Sequence, residues 1–274
     1  MTRANRHLAA LLAGLVALTL PAQARSQAEE LATVLRIDEV VEVMRDEGLA
    51  HGTELDSDML DGKGGRPFAD QVSRIYDTGI MADAVLDALG AGMNAQQIEQ
   101  SIGFFDTERG QRILSLETAA RVAMADPVVE EIARQTHAGL IGSGDSRFHA
   151  VAEFIAVNDL LDRNVSGALN SNFDFYRGLV DGGALKMNEA AILAEVWSGE
   201  DELRDDTEGW LFAFLLLAYQ PLSDADMQAY TDFSVTPAGQ ALNAALFDGF
   251  DVMYRSISYA LGRAVAQAMA SSDL

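Results

Sequence analysis

Two stretches, Asn94–Ile113 (NAQQIEQSIGFFDTERGQRI) and Ser223–Leu242 (SDADMQAYTDFSVTPAGQAL), decide the fold. Each opens on a residue suited to cap a helix. Asn94 precedes Ala95-Gln96-Gln97, the pattern in which the cap side chain accepts an N-terminal amide while Gln97 reaches back to the cap. Laid over each other at an offset of 129, the stretches match cap to cap, Ile98 to Met227, Phe104 to Phe233, Thr107 to Thr236, and Gly110-Gln111 to Gly239-Gln240. Both therefore read as a capped helix, a break at Thr, and a second helix. Thr107 and Thr236 are the expected N-caps, with Pro237 at a first helical position where its missing N–H costs nothing. Gly110 and Gly239 fall at the third helical position, where the lack of a Cβ lets a neighbour approach closely. Phe104 and Phe233 would anchor the preceding helix in the core. Gln111 and Gln240 have no evident packing role, and folding accounts for the other members of the motif.

Outward from these stretches, apolar spacing of three and four continues, and period-two runs rich in Val, Ile and Thr are missing, so the fold class is all-α. Leu31, Val34, Leu35, Ile37, Val40, Val41 and Met44 mark a helix stopping near Gly48; Phe68 to Tyr76 and Val85 to Leu89 mark two more. Asp126-Pro127 starts another. The last helix carries Leu242, Leu246, Phe250, Met253, Ile257, Leu261, Ala264 and Ala268 on one stripe, and its length suggests a central packing element.

A second self-match, at offset 120, lays Leu35–Gly62 on Ile155–Gly182. Together the two offsets predict tandem halves, 25–140 and 141–274, of about five helices each, related by a pseudo-twofold and sharing one core across a tight linker, Gly139 to Asp145. The difference between the offsets requires an insertion, placed in the loop-like acidic stretch Trp197 to Gly209. Trp197 and Trp210, flanking it, are expected in the core.

The twinned segment resembles the secreted bacterial family known as domain of unknown function 2059, on Phe104-Phe105-Asp106-Thr107-Glu108-Arg109-Gly110-Gln111 and Phe233-Ser234-Val235-Thr236-Pro237-Ala238-Gly239-Gln240. Ser234 departs from the pattern where the first copy has Phe105. The resemblance implies a helical exported protein and brings no known activity.

Residues 1–24 agree with export. Arg3 and Arg6 form a positive start, Leu8 to Leu20 is uncharged and apolar, and Pro21-Ala22-Gln23-Ala24 offers a small-x-small cleavage pattern. The expected product is a periplasmic protein cut after Ala24, with no stable membrane insertion, because the apolar run is shorter than the roughly 20 residues a spanning helix needs. The other long apolar run, Trp210 to Tyr219, reads as a buried helix.

The 274 residues carry 42 Asp+Glu against 19 Lys+Arg, a formal charge of −23. Cleavage would deepen that balance, since it removes two arginines and no acid. Such a surface argues against nucleic acid and anionic lipid as partners, which leaves a protein or a small molecule. The absence of cysteine excludes disulfides, thiolate metal sites and a Cys nucleophile.

Catalytic patterns are missing. His51, Glu54, Asp56, Asp58 and Asp61 form an acidic cluster in a predicted loop, Thr53 to Pro67, that superficially suits calcium. Counting from Asp56, however, Leu60 stands at position five and Asp61 at six, where a calcium loop of the helix–loop–helix type needs an acid and a glycine. A solvated loop is the better account. No HExxH, GxSxG, Ser-x-x-Lys, GxGxxG or Walker pattern occurs, so neither a metal nor a cofactor is expected. Sequence reading thus favours a non-enzymatic binding or envelope-interaction module. The alternatives are a carboxylate- or calcium-assisted hydrolase on the Glu54 to Asp61 segment, and an acidic chaperone or adaptor.

Overall fold

The computed structural model describes residues 22–272. The stretch 1–24, expected to be a signal segment, lies outside them except for its last three residues, which begin the first helix. Among the described residues there are thirteen helices and no strand: α1 (Ala22–Val34), α2 (Ile37–Leu60), α3 (Gly65–Ile75), α4 (Thr78–Gly92), α5 (Ala95–Phe105), α6 (Glu108–Met124), α7 (Pro127–Leu140), α8 (Ser146–Val157), α9 (Leu160–Asp181), α10 (Glu189–Ser198), α11 (Glu200–Tyr219), α12 (Asp224–Ser234) and α13 (Pro237–Ser272). The all-α expectation holds; the count of about five helices per half does not, since seven precede the 141–145 turn and six follow it. No helix among the described residues is long and apolar enough to cross a membrane.

Local chemistry fixes most helix starts. Asn94 and Gln97 make the full reciprocal capping box; Asp77, Asp126, Asp145, Asn188 and Ser223 each accept an amide of the first turn. Four starts have no such cap: Gly64 before α3, Gly199 before α11, and two left-handed breaks. Arg36 separates α1 from α2, and Asp159 separates α8 from α9, each in the left-handed conformation (φ 56° and 54°). A non-glycine residue there is held by its surroundings rather than by propensity. The helix expected to run unbroken from Leu31 to Met44 is thus two helices.

Three other expectations are corrected. Thr53 to Pro67 is mostly not a loop, because α2 continues to Leu60 and only residues 61–64 lie between α2 and α3. Gly48, near which the helix was expected to stop, and Gly52 are buried where α3 crosses: a Cβ on Gly48 would meet the ring of Tyr76, and one on Gly52 would meet Val72. Close packing overrides their low helix propensity. The acidic run Glu200 to Glu208 is likewise the first half of α11. Glu200, Asp201 and Glu202 occupy its first turn, where carboxylates complement the positive end of the helix dipole, and Arg204 bonds Asp162 of α9 at 2.7 Å. Trp197 is 56% exposed, not in the core, because α10 packs mainly on α9 through Ile192 and Val196.

Two cores interlock. Leu31, Val41, Val72, Val85 and Ile98 of α1–α5 pack with Leu242, Ala245, Met253, Ile257, Leu261 and Val265 of α13. In the other, Ile113 and Ala120 of α6 pack with Val151, Leu211, Leu215, Tyr219 and Met227 of α8, α11 and α12. The helix opened by Thr107 thus lies in the core built with α8, α11 and α12, while the helix opened by Thr236 covers that of α1–α5 and also packs along α9.

Candidate functional site

The two motif copies make the same local contacts. Thr107 Oγ1 accepts the Gly110 amide at 3.1 Å and donates to the Phe104 carbonyl at 2.7 Å; Thr236 Oγ1 accepts from Gly239 at 3.0 Å and donates to Phe233 at 2.7 Å. A Cβ on Gly110 would strike the backbone of Phe104 and Phe105, and one on Gly239 the backbone of Phe233 and Ser234. The glutamines have a definite job. Gln111 Nε2 donates to the carbonyls of Phe105 and Val34, both at 2.9 Å, and Gln240 Nε2 to those of Ser234 (2.7 Å) and Val157 (3.1 Å). Each clamps the end of the preceding helix to the residue just before a left-handed break. On one side Arg36 Nε donates to Gln111 Oε1 at 2.9 Å. In the register these clamps define, Arg36 corresponds to Asp159 rather than to Ala156, its partner at the sequence offset of 120.

Phe104 and Phe233 stack on each other, ring centroids 4.4 Å apart and planes 13° from parallel. On one side of this pair Arg109 of α6 bonds Asp226 of α12 at 2.7 Å; on the other, Gln97 of α5 donates to the Pro237 carbonyl of α13 at 3.3 Å.

Beside the stack lies a cleft of about 1120 Å³. Its walls are aromatic and aliphatic: Phe105, Phe154, Phe214, Tyr219, Tyr230, Phe233, Phe250, and Met44, Leu215, Leu242 and Leu246. Its far side, along α9, is polar, with Asp162, Asn164, Asn170 and Asn172. Trp210, half-buried and stacked on Phe214 at 5.1 Å, also lines it.

One carboxyl stands on the apolar side. Glu117 falls on the buried stripe of α6 between Ile113 and Ala120. Tyr219 Oη donates to its Oε1 at 2.6 Å, and Tyr230 is a second hydrogen-bond partner. Its remaining exposure is to the cleft. Burial pushes its pKa up to about 7 against the opposing effect of the two hydroxyls. Burial and the nearby acid raise both tyrosines well above the usual phenol range, so they remain donors.

One turn on, Arg121 is fully engaged. Its Nε and Nη2 bond the Glu47 carboxylate at 2.8 and 2.7 Å, and Nη2 also approaches Tyr254 Oη at 3.4 Å. Burial opposes its charge, but Glu47 more than offsets this and holds its pKa above the ordinary value. Nearby, burial first, with Tyr254 and Glu47 adding to it, pushes Tyr76 up to about 12.

The acidic cluster expected at 51–61 lies elsewhere, on the last turns of α2. His51, Glu54, Asp58 and Asp61 are exposed; His51 Nδ1 stands 3.5 Å from Glu54, and Lys63 bonds Asp61 at 3.1 Å. Asp56 accepts the Gly64 amide at 2.7 Å and so closes the turn into α3. Among the described residues no group of three or more His, Asp or Glu is placed to hold a metal.

Glu117, Tyr219 and Tyr230 were not singled out in the sequence. The signal was present for Glu117, a carboxylate where the 3.6-residue period demands an apolar side chain. Nothing in the sequence could place the two tyrosines beside it. Comparison with known proteins finds no match to this chain among family models, curated proteins or solved structures.

Proposed function

We propose that this chain is an exported, non-enzymatic binding protein built from two copies of one helical unit, taking a small, largely apolar molecule into the cleft between them. The observation that carries the reading is the cleft itself: about 1120 Å³, walled by aromatic rings, at the junction of the two halves. Ligand sites are typically concavities of about 300–1,000 Å³, mostly apolar, with a few convergent polar groups. Here those groups are Glu117, Tyr219 and Tyr230.

Duplication is supported by the paired caps and glutamine clamps and by the Phe104–Phe233 stack, in which equivalent residues meet as they must on a twofold axis. Arg109 bonds Asp226, and Gln97, the equivalent of Asp226, bonds Pro237, one residue before the equivalent of Arg109. Kinship with the secreted family of unknown function rests on the motif alone, and export on the pattern of residues 1–24. The calcium-assisted alternative has no observation in its favour, since its acids lie along a solvated helix and around its end.

The test is titration with N-phenyl-1-naphthylamine, an uncharged fluorescent probe, using the Trp197→Phe protein so that Trp210 alone reports. Saturable one-to-one binding with quenching of Trp210, lost in Leu246→Phe where the cleft is filled, supports the reading. Absence of saturable binding at millimolar probe refutes it.

A further inference from the structure

We propose that the cleft selects a protonated amine carried on an apolar body, its head group held by the Glu117 carboxylate and the surrounding rings of Phe154, Tyr219 and Tyr230. The inference rests on the cleft reading above and names the class of ligand.

The fold does not require an acid at this place. At the offset of 129 the partner of Glu117 is Leu246, an apolar residue on the matching face of α13, and the partner of Tyr230 is Ser101. The polar floor is therefore built on one side only of an otherwise paired arrangement. An ionised carboxylate surrounded by aromatic walls is costly unless a cation or several donors satisfy it.

Among the described residues, the groups that act on Glu117 are two hydroxyl donors and no cation. From α11 comes Tyr219, with one bond of 2.6 Å, and from α12 Tyr230; the ring of Phe154 on α8 packs against both tyrosines, its centroid 4.6 Å from that of Tyr230 and 5.6 Å from that of Tyr219. On α6 itself the nearest cation, Arg121, is held by Glu47 and Tyr254. The other arginine lining the cleft, Arg163, lies over the Phe247 ring at 5.4 Å and beside Asp159 at 3.8 Å.

An ammonium group fits what is left: it donates to the carboxylate oxygens and is attracted to the negative faces of aromatic rings. The field of the whole molecule points the same way. A formal charge of −23, with Asp159, Asp162, Asp248 and Asp251 around the cleft, draws cations in and repels carboxylates and phosphates.

The experiment compares three probes of one chain length, n-octylamine, n-octanol and octanoate, titrated calorimetrically into the full protein at pH 8. Octylamine is expected to bind at least tenfold more tightly than octanol, and octanoate not detectably. Glu117→Gln should abolish the advantage of octylamine over octanol, with a loss of at least tenfold in octylamine affinity, and cooperative urea unfolding of the variant checks that it is folded. Tyr230→Phe, a milder change, should lower the preference for the amine without abolishing it.

Because only the carboxylate pairs with an ammonium, octylamine affinity should fall by roughly tenfold per pH unit below the titration of Glu117 and stay flat in the Gln variant. If octanol matches octylamine, or if Glu117→Gln keeps the preference, the head-group assignment is overturned and the cleft reading stands. If none of the probes binds, the cleft reading falls and this inference with it.

Discussion

Glu117 shows how one side chain couples stability to pH. Its folded pKa, about 7, lies above its ordinary value of 4.5. Between those values the folded protein holds a proton that the unfolded chain has lost. The corresponding stability is complete below pH 4.5 and disappears as pH rises through 7, with a size on the order of 3 kcal/mol. Glu117→Gln should therefore be as stable as the natural protein near pH 4.5 and more stable at pH 8 by up to that amount, measured by urea unfolding at both pH values. Equal stability at pH 8 would mean the carboxylate is not buried as described. The glutamines make an independent prediction. Gln111→Ala removes two donated bonds and strands the Arg36 Nε, so a loss of about 1–3 kcal/mol is expected in thermal or urea unfolding, with a similar loss for Gln240→Ala. The glutamines were visible in the motif but not their purpose, because one carbonyl of each pair, Val34 or Val157, comes from a helix far away in the chain.

Among the elements, caps were legible and acidic helices were not. Asn94, Thr107, Asp126 and Thr236 announce helix starts because capping is a contact between near neighbours. The segments around Glu54 to Asp61 and Glu200 to Glu208 looked like loops because Gly and Asp disfavour helices in isolation. In α2 that preference is outweighed by the crossing of α3 over Gly48 and Gly52, and in α11 by first-turn acids and the contact of Arg204 with α9. The consequence for Gly48→Ala is opposite to what propensity suggests. Alanine improves the isolated helix by about 1 kcal/mol, yet here its methyl would enter the ring of Tyr76. A net loss of about 1–3 kcal/mol in urea unfolding is expected; a gain would show that α3 yields freely.

For the whole molecule, α13 covers the core of α1–α5 while α6 lies in the core of α8, α11 and α12, so neither stretch, 25–140 or 141–274, holds a complete core by itself. Residues 25–140 alone lack α13, leaving Val41, Val85 and Ile98 without the Leu242 to Val265 face that covers them. This fragment should show no cooperative unfolding, whereas mixing it with 141–274 should restore a single transition, followed by circular dichroism. A cooperative transition in 25–140 alone would refute the interlocked arrangement. The sequence by itself determined that the chain is helical, where many helices begin, that the stretches about Thr107 and Thr236 are alike, and that its surface is strongly acidic, because each of these depends on short-range periodicity, capping or composition. Only the tertiary structure decided that the motif helices lie in different cores, that Phe104 meets Phe233, and that Glu117, Tyr219 and Tyr230 share the wall of one cleft. Phe104 with Phe233, and Glu117 with either tyrosine, are joined across more than a hundred positions, and long-range packing of that kind leaves no periodic trace in the chain.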